Sequence, residues 1–541
     1  MARCTVQNYA DIDCDALLDT GRIRRAPVMP WCVVQTAWEP QRAQYWETLF
    51  ALSNGLTGLR GTLEEDDEAV QARSSPGMYL NGIYDYEPYE HLWYFPGFAT
   101  HKHAMLNCAD WRIINLYVNC EHVRVGSEKL VSSTRTLDMR QGVVKTSLRW
   151  NGAAGPVDIV IQRLVSMTRR YSAVISYAIT PVDADADIVI ESVVDEQTRT
   201  STLKEQEHII CQERRVHLRG MQGRFATREA PFVWGMAVEH RVRGCAADVE
   251  LASAADSTRT VWRFHLHGRR NRTVTLDKHA CFFTSVETPA HDVLRAAHRQ
   301  AQRDARDSFA VLTREQRAFW RRYWRTADIA IDGAPADQQA VRFSLFHLRQ
   351  SHPEDPRRSI SANGMTGDHH CGHVFWDTEM YMLPHFLYTE PAIAKPLLMY
   401  RYHLLDKARE RAKEMGGTGA MFAWNAISGE ECGVVFEAST AEYHLQSAIP
   451  FAIARYIDAT NDAAFLREDG AEIICETARY MAGRGAYIPH KGGLFCINAV
   501  CGPDEYGCGV NNNCYTNMLC QWHLRYAVQV CCWLRATYPE H

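Results

Sequence analysis

The sequence predicts a multidomain β plus α protein, in which an N-terminal antiparallel β-sandwich precedes a helical region. Runs rich in β-branched residues, separated by Gly, Pro, Asp and Asn, recur from about residue 30 to 285 and are typical of antiparallel sheets. After Gly333 the strand pattern does not return, and helical patterns replace it. A chain of 541 residues is also too long for one hydrophobic core, so two or more domains are expected.

We predict three segments along the chain. Residues 1–288 form the sandwich domain, residues 289–333 a helical linker, and residues 334–541 part of an α-helical barrel. Within the linker, residues 291–331 are rich in Ala and Arg, contain no Gly or Pro, and set Trp320 and Trp324 one helical turn apart. Helices of the barrel are expected at 337–351, 377–388, 391–414, 441–459, 463–482 and 513–536.

Composition excludes several classes of partner. The net charge of −5 provides no basic surface for nucleic acid. No apolar run approaches the roughly 20 residues of a membrane span, and residues 1–20 lack the apolar core of a secretory signal, so we expect a cytoplasmic protein without membrane contact. The 18 cysteines are scattered, which favours reduced thiols, and no disulfides are predicted.

Two adjacent acids stand out in GPDEYGCGVNNNCYTN, residues 502–517. Pro503 fixes φ and Gly502 permits a tight turn, so Asp504 and Glu505 are expected on a constrained loop, where a positioned general acid belongs. The alternative is that Asp504 caps a turn and Glu505 is merely exposed. The asparagines that follow could bind a hydroxyl-rich ligand or could simply form turns.

Two further loops combine tryptophan with acids. GHVFWDTEMYMLPHF, residues 372–386, places Trp376 beside Asp377, and GGTGAMFAWNAISGEECG, residues 416–433, contains Trp424 and Glu431. A flat ring next to an acceptor suits a sugar, which presents C–H faces and hydroxyl edges. A core aromatic residue followed by a helix N-cap is the alternative for Trp376 and Asp377. Three such loops on successive interhelical connections would line one mouth of the barrel.

Other chemistries are disfavoured by the spacing of the residues that they need. The cluster of His369, His370, Cys371 and His373 matches no common zinc pattern, and the cysteines of residues 496–514 lack CxxC pairs, so no metal is expected. No GxxxxGK[ST] phosphate loop and no GxSxG elbow is present. No cofactor is therefore expected.

Taken in order, these motifs resemble glycoside hydrolase family 65, which contains inverting phosphorylases of maltose, kojibiose, nigerose or trehalose, together with some trehalases. The resemblance covers nearly the whole chain, from WETLFALSNGLTGLRGTLEED at 46–66 to the loop of residues 502–517. It implies a β-sandwich, a helical linker and an (α/α)6 barrel. It also implies a cytoplasmic enzyme that takes an α-linked disaccharide and inorganic phosphate as co-substrate, with a homodimer as a possible assembly.

The resemblance assigns roles to the residues already named. Glu505 aligns with the general acid, Trp376 and Asp377 with residues that hold the non-reducing glucose, and Trp424 with another sugar-site residue. Asn425 stands where the family usually has Glu, and Glu431 begins the segment, to about residue 437, that varies with the acceptor sugar. In the family's phosphorylases, phosphate attacks C1 opposite the acid and gives β-glucose 1-phosphate with inversion.

The C-terminal part of the family pattern cannot be matched. About six of twelve barrel helices are counted before His541, and no phosphate-binding residues are identified. The chain therefore resembles a member truncated within its barrel, which a second chain could complete. Phosphorolysis of an α-glucosyl disaccharide is the predicted function. A trehalase-like inverting hydrolase and a catalytically inactive truncated member are the alternatives.

Overall fold

The computed structural model describes residues 28–540, apart from residues 154, 205–206, 253–256 and 435. The N-terminal stretch discussed above as lacking a secretory signal lies outside the described residues. The strands are β1 (Cys32–Gln35), β2 (Leu52–Ser53), β3 (Thr57–Leu59), β4 (Met78–Pro88), β5 (His101–Asn107), β6 (Ile114–Val118), β7 (Glu121–His122), β8 (Leu130–Asp138), β9 (Val143–Gly152), β10 (Gly155–Val165), β11 (Ser172–Pro181), β12 (Ala186–Asp195), β13 (Ile209–His217), β14 (Gly220–Thr227), β15 (Val233–Arg243), β16 (Ala247–Leu251), β17 (Arg259–Gly268), β18 (Val274–Thr284), β19 (Ala486–Ile488) and β20 (Leu494–Cys496).

Helices supply the remaining regular structure. They are α1 (Ala43–Leu49), α2 (Glu68–Gln71), α3 (Val293–Asp307), α4 (Phe309–Ala327), α5 (Pro335–Gln350), α6 (Leu383–Thr389), α7 (Pro391–His403), α8 (Leu405–Glu414), α9 (Phe436–Ala441), α10 (Leu445–Thr460), α11 (Ala463–Phe465), α12 (Ala471–Arg484) and α13 (Cys514–Thr537). In the described part of the chain, none of them combines the length and apolar character needed to cross a membrane. The predicted order of an antiparallel sandwich followed by helices is confirmed.

Two large antiparallel sheets form the sandwich. The first has nine strands in the order β1-β8-β9-β10-β11-β18-β15-β14-β13, and the second has five in the order β16-β17-β12-β6-β7. Along β17, Trp262, Phe264 and Leu266 are buried and their neighbours lie outward, as a pleated strand with one packed face requires. These side chains share one core with β10, β11 and β12.

The predicted linker consists of two helices packed on the sandwich. They meet at Ser308, which has φ = 73°, so the single helical segment expected from the sequence is interrupted there. α3 lies so close to β15 that a Cβ at Gly235 would come within 2.5 Å of the Val293 carbonyl oxygen. On α4, Trp320 and Trp324 are buried, and the Trp324 indole donates to the Met139 carbonyl at 2.8 Å.

The helical region has its own core, built mainly from α6, α7, α10, α12 and α13. Its helices lie close to the predicted segments. The expectation that strands do not return after Gly333 is wrong at one place, because β19 and β20 form a hairpin. Its strands have three residues each and turn through Gly492 and Gly493, both at positive φ, so they are too short for an alternating pattern.

A buried arginine joins the sandwich to the helical region. Arg358 is fully buried and donates to the Asn81 carbonyl at 2.7 Å, the Thr284 hydroxyl at 2.7 Å and Asp355 at 3.0 Å. It also pairs with Glu287. Because Asn81, Thr284 and Glu287 all belong to the sandwich side, this one side chain fixes the orientation of the segment that leads into the first tryptophan loop.

Replacing Arg358 with Ala should destabilise the protein by about 3–5 kcal/mol, because it leaves buried carboxylates without their cation. Arg357 also contacts Asp355, at 2.7 Å, but is 48% exposed, so Arg357→Ala should cost only about 0–1 kcal/mol. Chemical denaturation of both variants measures the difference. Equal destabilisation by the two variants would contradict this role for Arg358.

Candidate active site

A buried ion pair between Arg401 and Glu379 holds the loop that carries Trp376 in place. Arg401 on α7 donates to both oxygens of Glu379, at 2.8 and 2.9 Å, and to the Phe375 carbonyl at 3.1 Å. Both charged side chains are 1% exposed. The residues Thr378–Met382 form a π-helical turn, a local widening that frequently occurs at functional sites. The segment that presents Trp376 and Asp377 is therefore rigidly held.

The second loop is organised by Glu431. Its carboxylate accepts hydrogen bonds from the backbone amides of Trp424 at 2.8 Å, Asn425 at 3.1 Å and Gly433 at 3.0 Å. Burial raises the pKa of Glu431, while Arg411 and these amides act in the opposite direction. Because its oxygens are already occupied, Glu431 shapes the loop that carries Trp424 and Asn425. A direct contact between Glu431 and substrate stays a prediction.

Arg411 on α8 connects this loop to two other parts of the chain. Its guanidinium lies 3.4 Å from Glu431 and donates to the carbonyls of Gly97 at 3.2 Å and Ser439 at 2.7 Å. Gly97 lies between β4 and β5 of the sandwich domain, and Ser439 lies on α9. A single buried cation thus ties the Trp424 loop to both domains.

The two tryptophans meet in one aromatic cluster. The Trp376 and Trp424 ring centroids are 6.3 Å apart, and the His444 ring packs edge-on at 4.6 and 5.1 Å from them. Tyr515 adds an edge contact to Trp376 at 5.9 Å. Both indoles are buried within the helical core, as the core-aromatic alternative expects. Burial lowers the pKa of His444 to about 4, so its imidazole is neutral near pH 7.

Two oxygen acceptors beside this cluster have no protein partner. Asp377 is half-buried and makes no capping hydrogen bond, so the N-cap alternative is not observed. Within the described residues, no hydrogen bond or ion pair reaches the Asp377 carboxylate. The side-chain oxygen of Asn425 is likewise buried and unpartnered there. Such acceptors suit the hydroxyl groups of a bound ligand.

The loop of Glu505 begins and ends at a small antiparallel bridge between Val500 and Val510. A Cβ at Gly502 would lie 2.5 Å from the Asn513 side chain, so this close approach requires glycine. Asp504 accepts a hydrogen bond from the Tyr506 amide at 3.2 Å and so caps a turn, as the alternative proposed. Glu505 is exposed, with its side chain available to a ligand.

The asparagines after Glu505 hold the loop together through their side-chain oxygens. Asn511 accepts from the Ala499 amide at 3.0 Å, and Asn512 from the Ile497 amide at 3.2 Å. Asn513 caps the start of α13 by accepting from the Thr516 amide at 3.1 Å. Their turn-forming role is therefore the one that the structure shows.

One disulfide corrects the prediction that all cysteines are reduced. Cys501 and Cys508 are bonded to each other, with Cα atoms 4.1 Å apart. The bond closes a short ring around Glu505. The prediction was wrong because these two cysteines are separated by six residues and match no motif. The loop closed by the Val500–Val510 bridge brings them together.

Sequence reasoning missed a buried acid next to this loop. The Glu442 side chain is 1% exposed, and both of its oxygens lack hydrogen-bond partners among the described residues. The neutral His444 imidazole lies beside it, with Nε2 3.8 Å from a Glu442 oxygen. Burial, and then the charges of Glu505 and Glu431, raise the pKa of Glu442 to about 9. In the chain, Glu442 lies between Ala441, whose carbonyl accepts from the Cys501 amide of the Glu505 loop at 3.0 Å, and His444 of the aromatic cluster. Its only sequence signal is the Glu-Tyr-His run before α10.

Comparison with known proteins identifies the family to which this chain belongs. The model of the glycosyl hydrolase family 65 central catalytic domain matches residues 342–539, and that of the N-terminal domain of the same family matches residues 33–323. The chain belongs to glycosyl hydrolase family 65. The resemblance noted from the motifs is confirmed. The domain boundaries predicted at 288 and 333 stay predictions.

The similar proteins include phosphorylases. An α,α-trehalose phosphorylase of Thermoanaerobacter brockii is 35% identical over 531 residues, covering 95% of this chain and 68% of the relative. A kojibiose phosphorylase of the same organism is 30% identical over 541 residues, covering 94% and 67%. A solved structure from the human microbiome, assigned as a kojibiose phosphorylase, superposes with a TM-score of 0.85 at 25% identity, covering 93% and 66%. The family 65 chain therefore spans about two thirds of the length of these relatives.

Replacing Glu431 with Gln should loosen the second tryptophan loop, because an amide group cannot accept three backbone hydrogen bonds as a carboxylate does. We expect the Trp424 and Asn425 amides to exchange hydrogen about 10- to 100-fold faster. Hydrogen exchange measured by mass spectrometry on peptides of residues 421–434 tests this. The neighbouring Glu430 is exposed and contacts Lys407, so Glu430→Gln is the matched control. An unchanged rate of amide hydrogen exchange in Glu431→Gln would refute the role of Glu431 in holding this loop.

Glu442 should impose a pH dependence on stability. Its pKa rises from 4.5 to about 9 on folding, so the folded state binds the extra proton between these values. Raising the pH from about 5 to about 8 should therefore destabilise the protein through this group. Glu442→Gln removes that contribution, so the variant should gain stability relative to the parent as pH rises. The free energy of unfolding of parent and variant, measured between pH 5 and pH 8, tests this, with the exposed Glu410→Gln as control. Parallel pH profiles for parent and Glu442→Gln would contradict the raised pKa of Glu442.

Proposed function

We propose that this chain catalyses inverting phosphorolysis of an α-glucosyl disaccharide. The observation that carries the proposal is that the loop of the exposed Glu505 lies next to the aromatic cluster. The Cys501 amide of that loop donates to the Ala441 carbonyl at 3.0 Å, and Tyr515, shortly after the loop, packs against Trp376. The family supports it, because the similar proteins named above are trehalose and kojibiose phosphorylases. Trp376, Asp377, Trp424 and Asn425 would hold the glucose unit that loses its partner sugar.

In the proposed reaction, protonated Glu505 donates its proton to the glycosidic oxygen as the C1–O bond breaks. A phosphate oxygen forms the new bond to C1 from the opposite face, which inverts the configuration and yields β-glucose 1-phosphate and the free acceptor sugar. The exposed position of Glu505 allows water to return its proton. Phosphate is the nucleophile, so no second enzymic base and no cofactor is required.

The environments of Glu442, Glu431 and Asp504 favour phosphorolysis over hydrolysis. An inverting hydrolase needs an ionised carboxylate to activate water. Glu442, with a pKa of about 9, keeps its proton near pH 7. The Glu431 carboxylate is occupied by three amides, and Asp504 caps a turn. These buried or engaged acids are poor general bases, which supports phosphate as the attacking group.

The Asn425 side chain affects how strongly the site can bind a sugar. Members of family 65 usually have Glu where this chain has Asn425. The amide replaces a carboxylate, so one strong acceptor for sugar hydroxyls is lost. The unpartnered Asn425 oxygen retains a weaker acceptor there. We therefore propose that the site takes glucose with fewer charge-assisted contacts than its relatives make. Trehalose and kojibiose are the first substrates to test.

The proposal also covers the oligomeric state and the cellular compartment of the enzyme. We propose that the enzyme acts in the cytoplasm as a homodimer. Light scattering of the purified protein, alone and with phosphate, distinguishes a monomer from a dimer.

Glucose 1-phosphate formation tests the function. The purified 541-residue chain is incubated with trehalose, kojibiose, maltose or nigerose, with and without phosphate. We expect phosphate-dependent product from at least one sugar, lost by about 10²-fold or more in Glu505→Gln because proton donation contributes that much. The adjacent Asp504→Asn should keep more activity, since Asp504 serves the turn.

Other outcomes would identify the alternatives. Glucose released at equal rates without phosphate would indicate a trehalase-like hydrolase. Retention of the full rate by Glu505→Gln would remove Glu505 as the acid. No product from any sugar, with binding of glucose still measurable by tryptophan fluorescence, would identify an inactive chain.

A further inference from the structure

Three side chains able to bind a metal ion lie together in the sandwich domain, away from the proposed active site. His217 is the last residue of β13, Glu239 lies on β15 and His298 on α3. One ligand atom from each lies within 4.8 Å of the others, and no second group of this kind occurs in residues 28–540 outside the stated gaps. Because β13 is the last strand of the nine-stranded sheet, the group joins a sheet edge to a linker helix.

The distances leave room for an ion with small side-chain movements. The Glu239 carboxylate oxygen lies 3.5 Å from His217 Nε2 and 3.8 Å from His298 Nδ1. A tetrahedral zinc ion with bonds of about 2.0–2.2 Å holds its ligand atoms about 3.3 Å apart. Closing the group to this spacing requires rotations of side chains that are partly exposed at the two histidines.

The polar atoms of the group are unsatisfied within the protein. The Glu239 side chain is 8% exposed, and no hydrogen bond reaches its carboxylate in the described part of the chain. His217 Nε2 and His298 Nδ1 are buried and also lack a hydrogen-bond partner there. A buried carboxylate without a donor costs free energy. One cation would satisfy all three atoms at once.

We propose that His217, Glu239 and His298 bind a divalent metal ion of the zinc type, which fixes α3 to the edge strand β13. Two imidazoles and one carboxylate are a common ligand set for zinc and leave a fourth position open. Binding at His217 Nε2 places the ring proton on Nδ1. With its proton there, Nδ1 can no longer accept the long hydrogen bond of 3.3 Å from the Arg219 amide, which is a small loss.

The cavity beside the group indicates what would occupy the fourth position. It has a volume of about 720 Å³, and Arg219, Arg241 and Arg306 contribute to its wall. The Arg241 guanidinium is held there by the Ala305 and Arg306 carbonyls, each at 2.8 Å. Positive charge around an open coordination position favours an anionic ligand, such as hydroxide or chloride, over a neutral one.

Zinc content tests the site directly. The full chain is stripped with a chelator, dialysed against zinc, and analysed for bound metal beside His217→Ala, Glu239→Gln and His298→Ala. Free cysteines such as Cys120 and Cys211 also bind zinc, so the informative quantity is the difference between proteins. The control is His265→Ala, which removes an exposed histidine 3.5 Å from Glu250 that has no third ligand.

We expect each ligand variant to bind one zinc ion fewer than the parent and the control. Zinc at about 100 times its Kd should raise the Tm of the parent by about 2 °C, and of the ligand variants by much less. Metal-free Tm values and circular dichroism verify that the variants fold. Unchanged zinc content and an unchanged Tm response in Glu239→Gln and His298→Ala would overturn the proposal.

Discussion

The proposed active site depends on the charge of Arg411, which is buried where the two domains meet. A buried guanidinium must be neutralised and hydrogen-bonded, and Arg411 meets this requirement only by drawing together Glu431, the Ser439 carbonyl and the Gly97 carbonyl. Glu431 in turn accepts the amides of the Trp424 loop. The sandwich domain therefore supports the site through Gly97, although it contributes none of the proposed sugar-binding side chains.

The same arrangement is repeated at the first tryptophan loop. Arg401 on α7 pairs with Glu379, as Arg411 on the following helix pairs with Glu431, and each arginine also donates to backbone carbonyls. Planar guanidinium groups suit this task because they fix direction as well as charge. Such pairs contribute more to geometry than to net stability, since their desolvation offsets much of their attraction. The two indoles are therefore positioned while the Asp377 carboxylate and the Asn425 side-chain oxygen keep no hydrogen-bond partner among the described residues.

The sequence predicted those features that local pattern determines. Alternation located most strands, the spacing of Trp320 and Trp324 located α4, and the motif order identified the family. Features produced by the meeting of distant segments were missed. The burial of Glu442 and the group of His217, Glu239 and His298 depend on tertiary contacts that no local spacing encodes. The hairpin of β19 and β20 was missed for a different reason, because three residues are too few to show a period of two.

Three glutamates around one site show why residue type alone could not assign their roles. Glu505 is exposed on a short ring closed by a disulfide, so it can meet a ligand and exchange its proton with water. Glu431 is buried but receives three amides and faces a cation, so it can serve as a fixed acceptor. Glu442 is buried without donors, and its raised pKa keeps it protonated. An acid in that state can donate a hydrogen bond but cannot accept a proton. The chemistry available at the site therefore follows from burial and hydrogen bonding, which separate the exposed Glu505, the proposed proton donor, from two buried acids.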